Sequence, residues 1–165
     1  MSRSVRATTA AALAALGTAA ALPLISSAGS PGARDVTVRD KVRAVKFVHT
    51  SKSTHAEQLA LGDRVVTRQA LFDEQDHAVG TFSTDCVNVG HKAPVFSATL
   101  QCTSIYRFAD GQVVTSGVVR LGGSPADARI AIVGGTGAYR RARGEVGSGP
   151  SVKGYDTVDV LHIDG

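Results

Sequence analysis

The sequence predicts an all-β domain, either a closed barrel or a sandwich, and three observations lead there. Helical periodicity is nearly absent after residue 35. In its place come short runs of Val, Ile, Thr and Phe bounded by Gly, Asp, Asn and Pro, the punctuation of strands and turns. The runs number about eight at the close spacing of a barrel or sandwich, with no helical stretch between them to build a parallel sheet. Composition agrees. Only 5% of residues are aromatic and Trp is absent, so a core must come from Val, Ile, Leu and Ala, while 18 glycines in 165 residues supply turns.

Residues 1–30 stand outside this pattern and read as a secretory signal. Arg3 and Arg6 form a basic start, Ala10 to Leu24 an uncharged apolar stretch, and Ile25 to Ser30 a small-residue cleavage region with the cut expected after Ala28. Thr8, Thr9, Gly17, Thr18 and Pro23 make the same stretch a poor permanent span, so no stable membrane anchor is expected and the protein should be secreted. Residues 31–41 are expected to be a flexible mature N-terminus, and 42–165 the β domain. Its strands are placed at Val42–Thr50, Asp63–Phe72, Ala78–Val89, Val95–Phe108, Gln112–Leu121, Arg129–Val133, Arg143–Val146 and Thr157–Ile163. Asp73 to Asp76 is a polar turn tip, and Asp110-Gly111 is a hairpin signal. Gly90 to Pro94 and Gly122 to Asp127 read as longer loops.

Charge and histidine spacing exclude several functions. The net charge is +4, and setting aside Arg3 and Arg6 leaves about +2 on the mature domain, too little to argue for nucleic acid. Arg140, Arg141 and Arg143 cluster without interleaved aromatics and read as a solvated face. The five histidines show no metal-ligand spacing, and no CxxC pair exists, so no metal is expected. In an oxidising compartment Cys86 and Cys102 become a candidate disulfide across neighbouring strands; otherwise they are two buried thiols.

Ala131 to Arg140, with its Gly134-Gly135-Thr136-Gly137 turn after a strand, imitates a dinucleotide loop. Arg140 stands where the third glycine should allow close helix packing, and no βαβ unit follows before Gly165. Nucleotide binding is therefore rejected. Gly122 to Ala126 lacks the final glycine of a nucleophile elbow and reads as a loop.

Read through Gly144, the glycine segment resembles something else. Gly134-Gly135-Thr136-Gly137-Ala138-Tyr139-Arg140-Arg141-Ala142-Arg143-Gly144 is similar to the G-G-T-G-x-F/Y-R-x-A-R-G signature of dirigent proteins and to the glycine turn of allene oxide cyclases. Gly62-Asp63-Arg64-Val65 and Leu71-Phe72-Asp73 resemble the cyclases' strand start and strand end. Val79-Gly80 and Asp85-Cys86-Val87 follow in order, and Val45 to His49 resembles the first dirigent strand. The resemblance spans residues 42–163. It implies an eight-stranded antiparallel β-barrel with a hydrophobic lumen, assembled as a homo-dimer or homo-trimer, and it implies no cofactor. Plant members cyclise a fatty-acid epoxide or steer phenoxy-radical coupling, and bacterial relatives close rings, including by cycloaddition.

Position by position the resemblance argues against either plant activity. The cyclase glutamate falls at Phe47, its neighbouring asparagine at His49, and its Ser-Pro pair near His55-Ala56; the dirigent acid falls at Thr50. A lumen asparagine falls at Gln69, and the cyclase cysteine falls at Cys86. Strand alternation puts Phe82, Thr84, Cys86 and Asn88 on one face, expected to be the lumen, with Ser83 and Asp85 outward. The expected site therefore has His49 and Tyr106 as proton-moving groups and Phe47, Gln69, Phe82, Thr84, Cys86, Asn88 and Arg140 as ligand-binding residues. Blander readings stand beside these: His49 as a solvated strand end, Tyr106 as packing, Arg140 as a brace for its turn. The expected function is lumen binding of an apolar or amphipathic small molecule with cyclisation or isomerisation, the rival being a non-catalytic carrier or wall-associated binding protein.

Overall fold

The structure, a computed structural model, describes residues 32–50, 57–123 and 128–164. The expected leader with its cleavage site, His55-Ala56 and Ser124 to Ala126 lie outside those residues. In chain order the elements are β1 (Arg34–Val48), β2 (Gln58–Leu59), β3 (Arg64–Phe72), β4 (Ala78–Asn88), β5 (Ala93–Pro94), a short 3-10 turn (Val95–Ser97), β6 (Thr99–Phe108), β7 (Gly111–Arg120), β8 (Arg129–Gly137), β9 (Arg143–Gly149) and β10 (Thr157–Asp164). Eight strands close as an antiparallel barrel in the order β1-β10-β9-β8-β7-β6-β4-β3, while β2 and β5 pair beside its upper end. Every strand of the barrel proper has a partner on each side over part of its length, so closure removes most of the exposed edge an open sheet would leave.

The N-terminal boundary needs correction. Within the expected flexible lead-in, Arg34 to Asp40 run antiparallel to Ile163 to Thr157 and begin β1. The signal is a short alternation, Val36, Val38 and Asp40 inward against Thr37 and Arg39, with two charges that obscure it. Two smaller differences follow from chemistry. Pro94 precedes a 3-10 turn, so β6 starts at Thr99 and not at Val95. β8 continues past Val133 through the glycines to Gly137 because they pair with Val114, Val113, Gln112 and Gly111 of β7.

The glycine signature closes the lower end of the barrel. Tyr139 and Ala142, on the turn between β8 and β9, are buried with Val113, Ile132 and Ile163. Gly137 adopts φ 60°, a conformation that favours glycine. At Gly135 a Cβ would meet the Gln112 carbonyl oxygen at 2.3 Å and the Tyr139 Cβ at 2.8 Å, so the motif exists to let the strand fold over its own tyrosine. A second apolar cluster, built on Leu59, Val65, Cys86, Ala98, Leu100 and Cys102, occupies the upper end.

Cys86 and Cys102 are directly opposite each other on β4 and β6 and form a disulfide. The bond closes a loop of about 15 residues and on chain entropy contributes roughly 3 kcal/mol. Reduction is therefore expected to lower the urea midpoint of the barrel with little change in far-ultraviolet circular dichroism. An unchanged midpoint in reductant, with both thiols shown free, would remove the disulfide from the stability of this fold.

Candidate functional site

Strand register stacks the inward-facing residues in tiers. Directly opposed residues of antiparallel strands share a face, so each row runs around the wall. The uppermost row is Phe47, Val65, Cys86, Cys102 and Gly117. The next is Val45, Thr67, Thr84, Ser104 and Thr115, four consecutive hydroxyl side chains on four strands. Below it run Val42, Gln69, Phe82, Tyr106 and Val113. The barrel thus carries a hydroxyl belt between two apolar ends.

A chamber of about 210 Å³ opens above and across this belt. Its wall is Val65, Cys86, Leu100, Cys102, Val119, Leu121 and Ile130; Thr67, Thr84 and Ser104 form its waist, and Gln69 and Phe82 its floor. No charged side chain lines it. Ser104 Oγ donates to Thr84 Oγ1 at 2.7 Å, which satisfies part of the belt. The Thr67 hydroxyl is buried with no hydrogen-bond partner among the described residues, a polar group whose desolvation goes uncompensated there. On one side the rim is an overhang. Beyond Asp40, β1 leaves β10 and pairs only with β3, so Val42, Val45 and Phe47 share the chamber face yet stay 37%, 47% and 39% exposed.

Directly beneath the floor lie two buried carboxylates. Asp40 accepts from Thr157 Oγ1 at 2.5 Å and from the Thr157 amide at 3.2 Å, while the Gln69 amide nitrogen donates to both its oxygens at 2.9 Å. Asp159 accepts from Tyr106 Oη and from Ser148 Oγ, each at 2.7 Å. Phe82, in the chamber floor, packs against Tyr106 with ring centroids 4.6 Å apart. Burial pushes Asp40 up to about 6; hydrogen bonds from Thr157 oppose the shift, and the neighbouring charges of Asp159 and Asp156 add to it. Burial likewise raises Asp159 against the pull of its Tyr106 and Ser148 bonds, and burial beside Asp159 lifts Tyr106 well above its ordinary value.

The structure brings together only part of the expected site. Gln69, Phe82, Thr84 and Cys86 line the chamber, Cys86 as half of the disulfide, and Phe47 stands on the overhanging rim. Tyr106 lies inside the barrel below the floor, holding Asp159. His49, Asn88 and Arg140 do not line the chamber. His49 sits just past β1, where Nδ1 meets Asp63 Oδ2 at 3.1 Å outside the chamber. Asp63 also takes the amides of Thr50 and Ala60 and the Thr50 hydroxyl. Burial opposes its ionisation, but those amides, the His49 ring and the hydroxyl outweigh it and hold the carboxyl well below the usual range. Asn88 faces inward but is consumed by structure, donating to the carbonyls of Leu59 and His91 and accepting from the Gly90 amide. Arg140 is exposed on the lower turn, at the end of the barrel opposite the chamber.

Asp40 and Asp159 are the residues that sequence reasoning missed. Each carried a readable signal: an acid standing in register with the apolar face of its strand, Asp40 with Val36 and Val38, Asp159 with Leu161 and Ile163. Among the described residues no group of three or more His, Cys, Asp or Glu is placed to hold a metal ion, and no helix is long and apolar enough to cross a membrane.

This arrangement, a closed barrel around an apolar chamber with a glycine turn as its lower plug, defines a class. The family described as the allene oxide cyclase barrel like domain matches residues 43–153, and the chain belongs to it. Solved structures share the fold at low identity. A pyocyanin demethylase is 19% identical with a TM-score of 0.63, covering 79% of this chain and 99% of its own. A pterocarpan synthase dirigent protein is 19% identical with a TM-score of 0.57, over 80% and 89%. The exo-specific intermolecular Diels-Alderase AbnU is 10% identical with a TM-score of 0.57, over 81% and 99%. No curated protein matches the sequence.

Asp63 and Asp40, shifted in opposite directions, set opposite pH dependences. Asp63, lowered in the folded state, stabilises the barrel above its unfolded value near 3.8 and loses that contribution on acidification. Asp40, raised to about 6, favours the folded state most below 3.8 and loses roughly 2–3 kcal/mol as pH rises through 6. The melting temperature of the wild type should therefore fall between pH 4.5 and about 7, and in Asp40→Asn that fall should flatten. An equally steep decline in Asp40→Asn would show that another group is responsible.

Proposed function

We propose that the protein binds an apolar or amphipathic small molecule in the upper chamber and directs its cyclisation or isomerisation, outside the cell after export. The observation that carries this reading is the chamber itself: an uncharged apolar cavity, open at one rim, whose waist presents an unpartnered hydroxyl. At about 210 Å³ it is smaller than the roughly 300–1,000 Å³ of a drug-sized site, so it suits a compact ring system or one end of a longer molecule, with the rest lying along Val42, Val45 and Phe47. Holding a flexible substrate in one folded conformer removes much of the entropy of ring closure. The Thr67 hydroxyl, whose O–H has no partner among the described residues, is placed to polarise a carbonyl or steady a developing oxyanion. The family relationship supports this reading, since barrels of the same fold include a Diels-Alderase and a pterocarpan synthase dirigent protein. Export is supported by the leader-like N-terminus and by the disulfide. Assembly into a homo-dimer or homo-trimer is part of the same proposal, supported by the exposed outward-facing Val118 and Val133 on neighbouring strands β7 and β8.

A second reading, a non-catalytic carrier, is favoured by one observation: no side chain lining the chamber titrates, since both cysteines are bridged. The two readings part on turnover. Val119→Trp fills the rim and should weaken binding of small polycyclic ligands by more than tenfold while leaving the β-sheet circular dichroism intact. If binding persists in Val119→Trp, the chamber is the wrong site. Product formation from ring-closing substrates such as linear trienes, lost in the same variant, identifies the enzyme; tight binding without product identifies the carrier.

A further inference from the structure

We propose that the chamber selects small apolar molecules that carry a positive charge, an amine or an N-heterocyclic cation, because two carboxylates without counter-ions are buried directly beneath its floor. The inference rests on the lumen-binding reading and names the chemical class of its ligand.

Three observations converge. First, Asp40 and Asp159 are 2% and 3% exposed, and neither forms an ion pair among the described residues; their partners are Thr157, Gln69, Tyr106 and Ser148, all uncharged. The charges that bear on Asp40 are those of Asp159 and of Asp156, the latter from the connection between β9 and β10, and both are negative. Paired buried acids usually meet an Arg, Lys or metal, because an uncompensated carboxylate in a low-dielectric interior is costly. Second, one side chain separates the chamber from Asp40 and two separate it from Asp159. Gln69 lines the chamber and holds both Asp40 oxygens, while Phe82 lines it and packs on the tyrosine that holds Asp159. Third, the chamber wall has no charge of its own to mask that field, and its apolar lining keeps the local dielectric low.

A cation seated against Gln69 and Phe82 therefore meets a negative potential focused from below, with the π face of Phe82 as a further favourable contact. An anionic ligand meets the same field with the opposite sign. The charge that matters also titrates: Asp40 ionises near 6, so the floor is most negative above neutrality and weakens on acidification. For developing positive charge in a substrate, the same field acts during reaction as well as on binding.

Three bicyclic ligands of similar shape test this: N-methylquinolinium as a fixed cation, 1-methylnaphthalene as its neutral counterpart and 1-naphthoate as an anion. The chain contains no Trp, so ligand fluorescence reports binding to the full mature protein with little background. At pH 7.5 the cation is expected to bind at least tenfold more tightly than the neutral ligand, about 1.4 kcal/mol, and the anion most weakly. Because the charge of N-methylquinolinium is independent of pH, any narrowing of its advantage at pH 5 reports the floor acids. Asp40→Asn and Asp159→Asn, which keep shape, should each reduce the preference. Equal or tighter binding of the neutral ligand or the anion by wild-type protein overturns the charge preference and leaves lumen binding standing. A cation preference that survives in both variants and at pH 5 places the charge on the protein surface and also overturns it. If none of the three ligands binds, the lumen-binding reading fails and takes this inference with it.

Discussion

The barrel depends on what happens to β1 at Asp40. From Arg34 to Val38 β1 pairs with β10 alone, Arg39 and Asp40 pair with both β10 and β3, and beyond Asp40 only β3 remains. The handover is made by one buried side chain and its neighbours. Asp40 binds the first residue of β10 through Thr157 and the adjacent strand through Gln69, its own carbonyl takes the Asp156 amide, and Asp156 in turn accepts from the Val42 amide at 2.7 Å. The register shift between Val42 and Ala44 follows immediately. A bulge of this kind bends and twists a strand, which lets β1 turn away from the closed wall. Closure below and an open rim above are thus consequences of one seam.

That seam also explains why the interior is layered. An apolar plug fills the lower end, where the Tyr139 turn folds under the strands, and a second apolar cluster with the disulfide frames the upper end. The polar rows between them are not a defect in a hydrophobic core. Nearly every group in them is hydrogen-bonded across strands, so they specify register as well as solvate one another. The unpartnered Thr67 hydroxyl is the exception, and it faces the chamber. Holding the two acids below the floor costs stability at neutral pH. Natural proteins keep such strained polar groups most often where a ligand or a reaction uses them.

Much of the site was legible from strand alternation alone. Phe82, Thr84 and Cys86 share an inward face because side chains alternate, and Ser83 and Asp85 point out, Asp85 pairing with Arg64 on the barrel exterior. Gln69 joins them through its register with Phe82. His49 and Asn88 stand outside the chamber lining for a common reason. A polar residue at a strand end has two possible employers, a ligand or the neighbouring loop, and sequence does not say which carbonyls or carboxylates will be within reach. Asp63 claimed His49, and the Leu59 and His91 carbonyls claimed Asn88.

What the sequence by itself determined was local: alternating Val, Ile and Thr between turn-forming residues, hence strands, and a glycine signature specific enough to imply an eight-stranded barrel of the allene oxide cyclase type. The strands follow from side-chain sterics and backbone freedom within a few residues; the barrel follows from the family resemblance that the signature carries. Tertiary structure alone decided where the lumen is apolar and where it is charged. Asp40 and Asp159 lie more than a hundred residues apart, near opposite ends of the described chain, and become neighbours only when β1 closes against β10. Their perturbed ionisation arises from burial, with the charge of Asp159 adding to the shift at Asp40, both properties of the closed barrel that no short window of sequence contains.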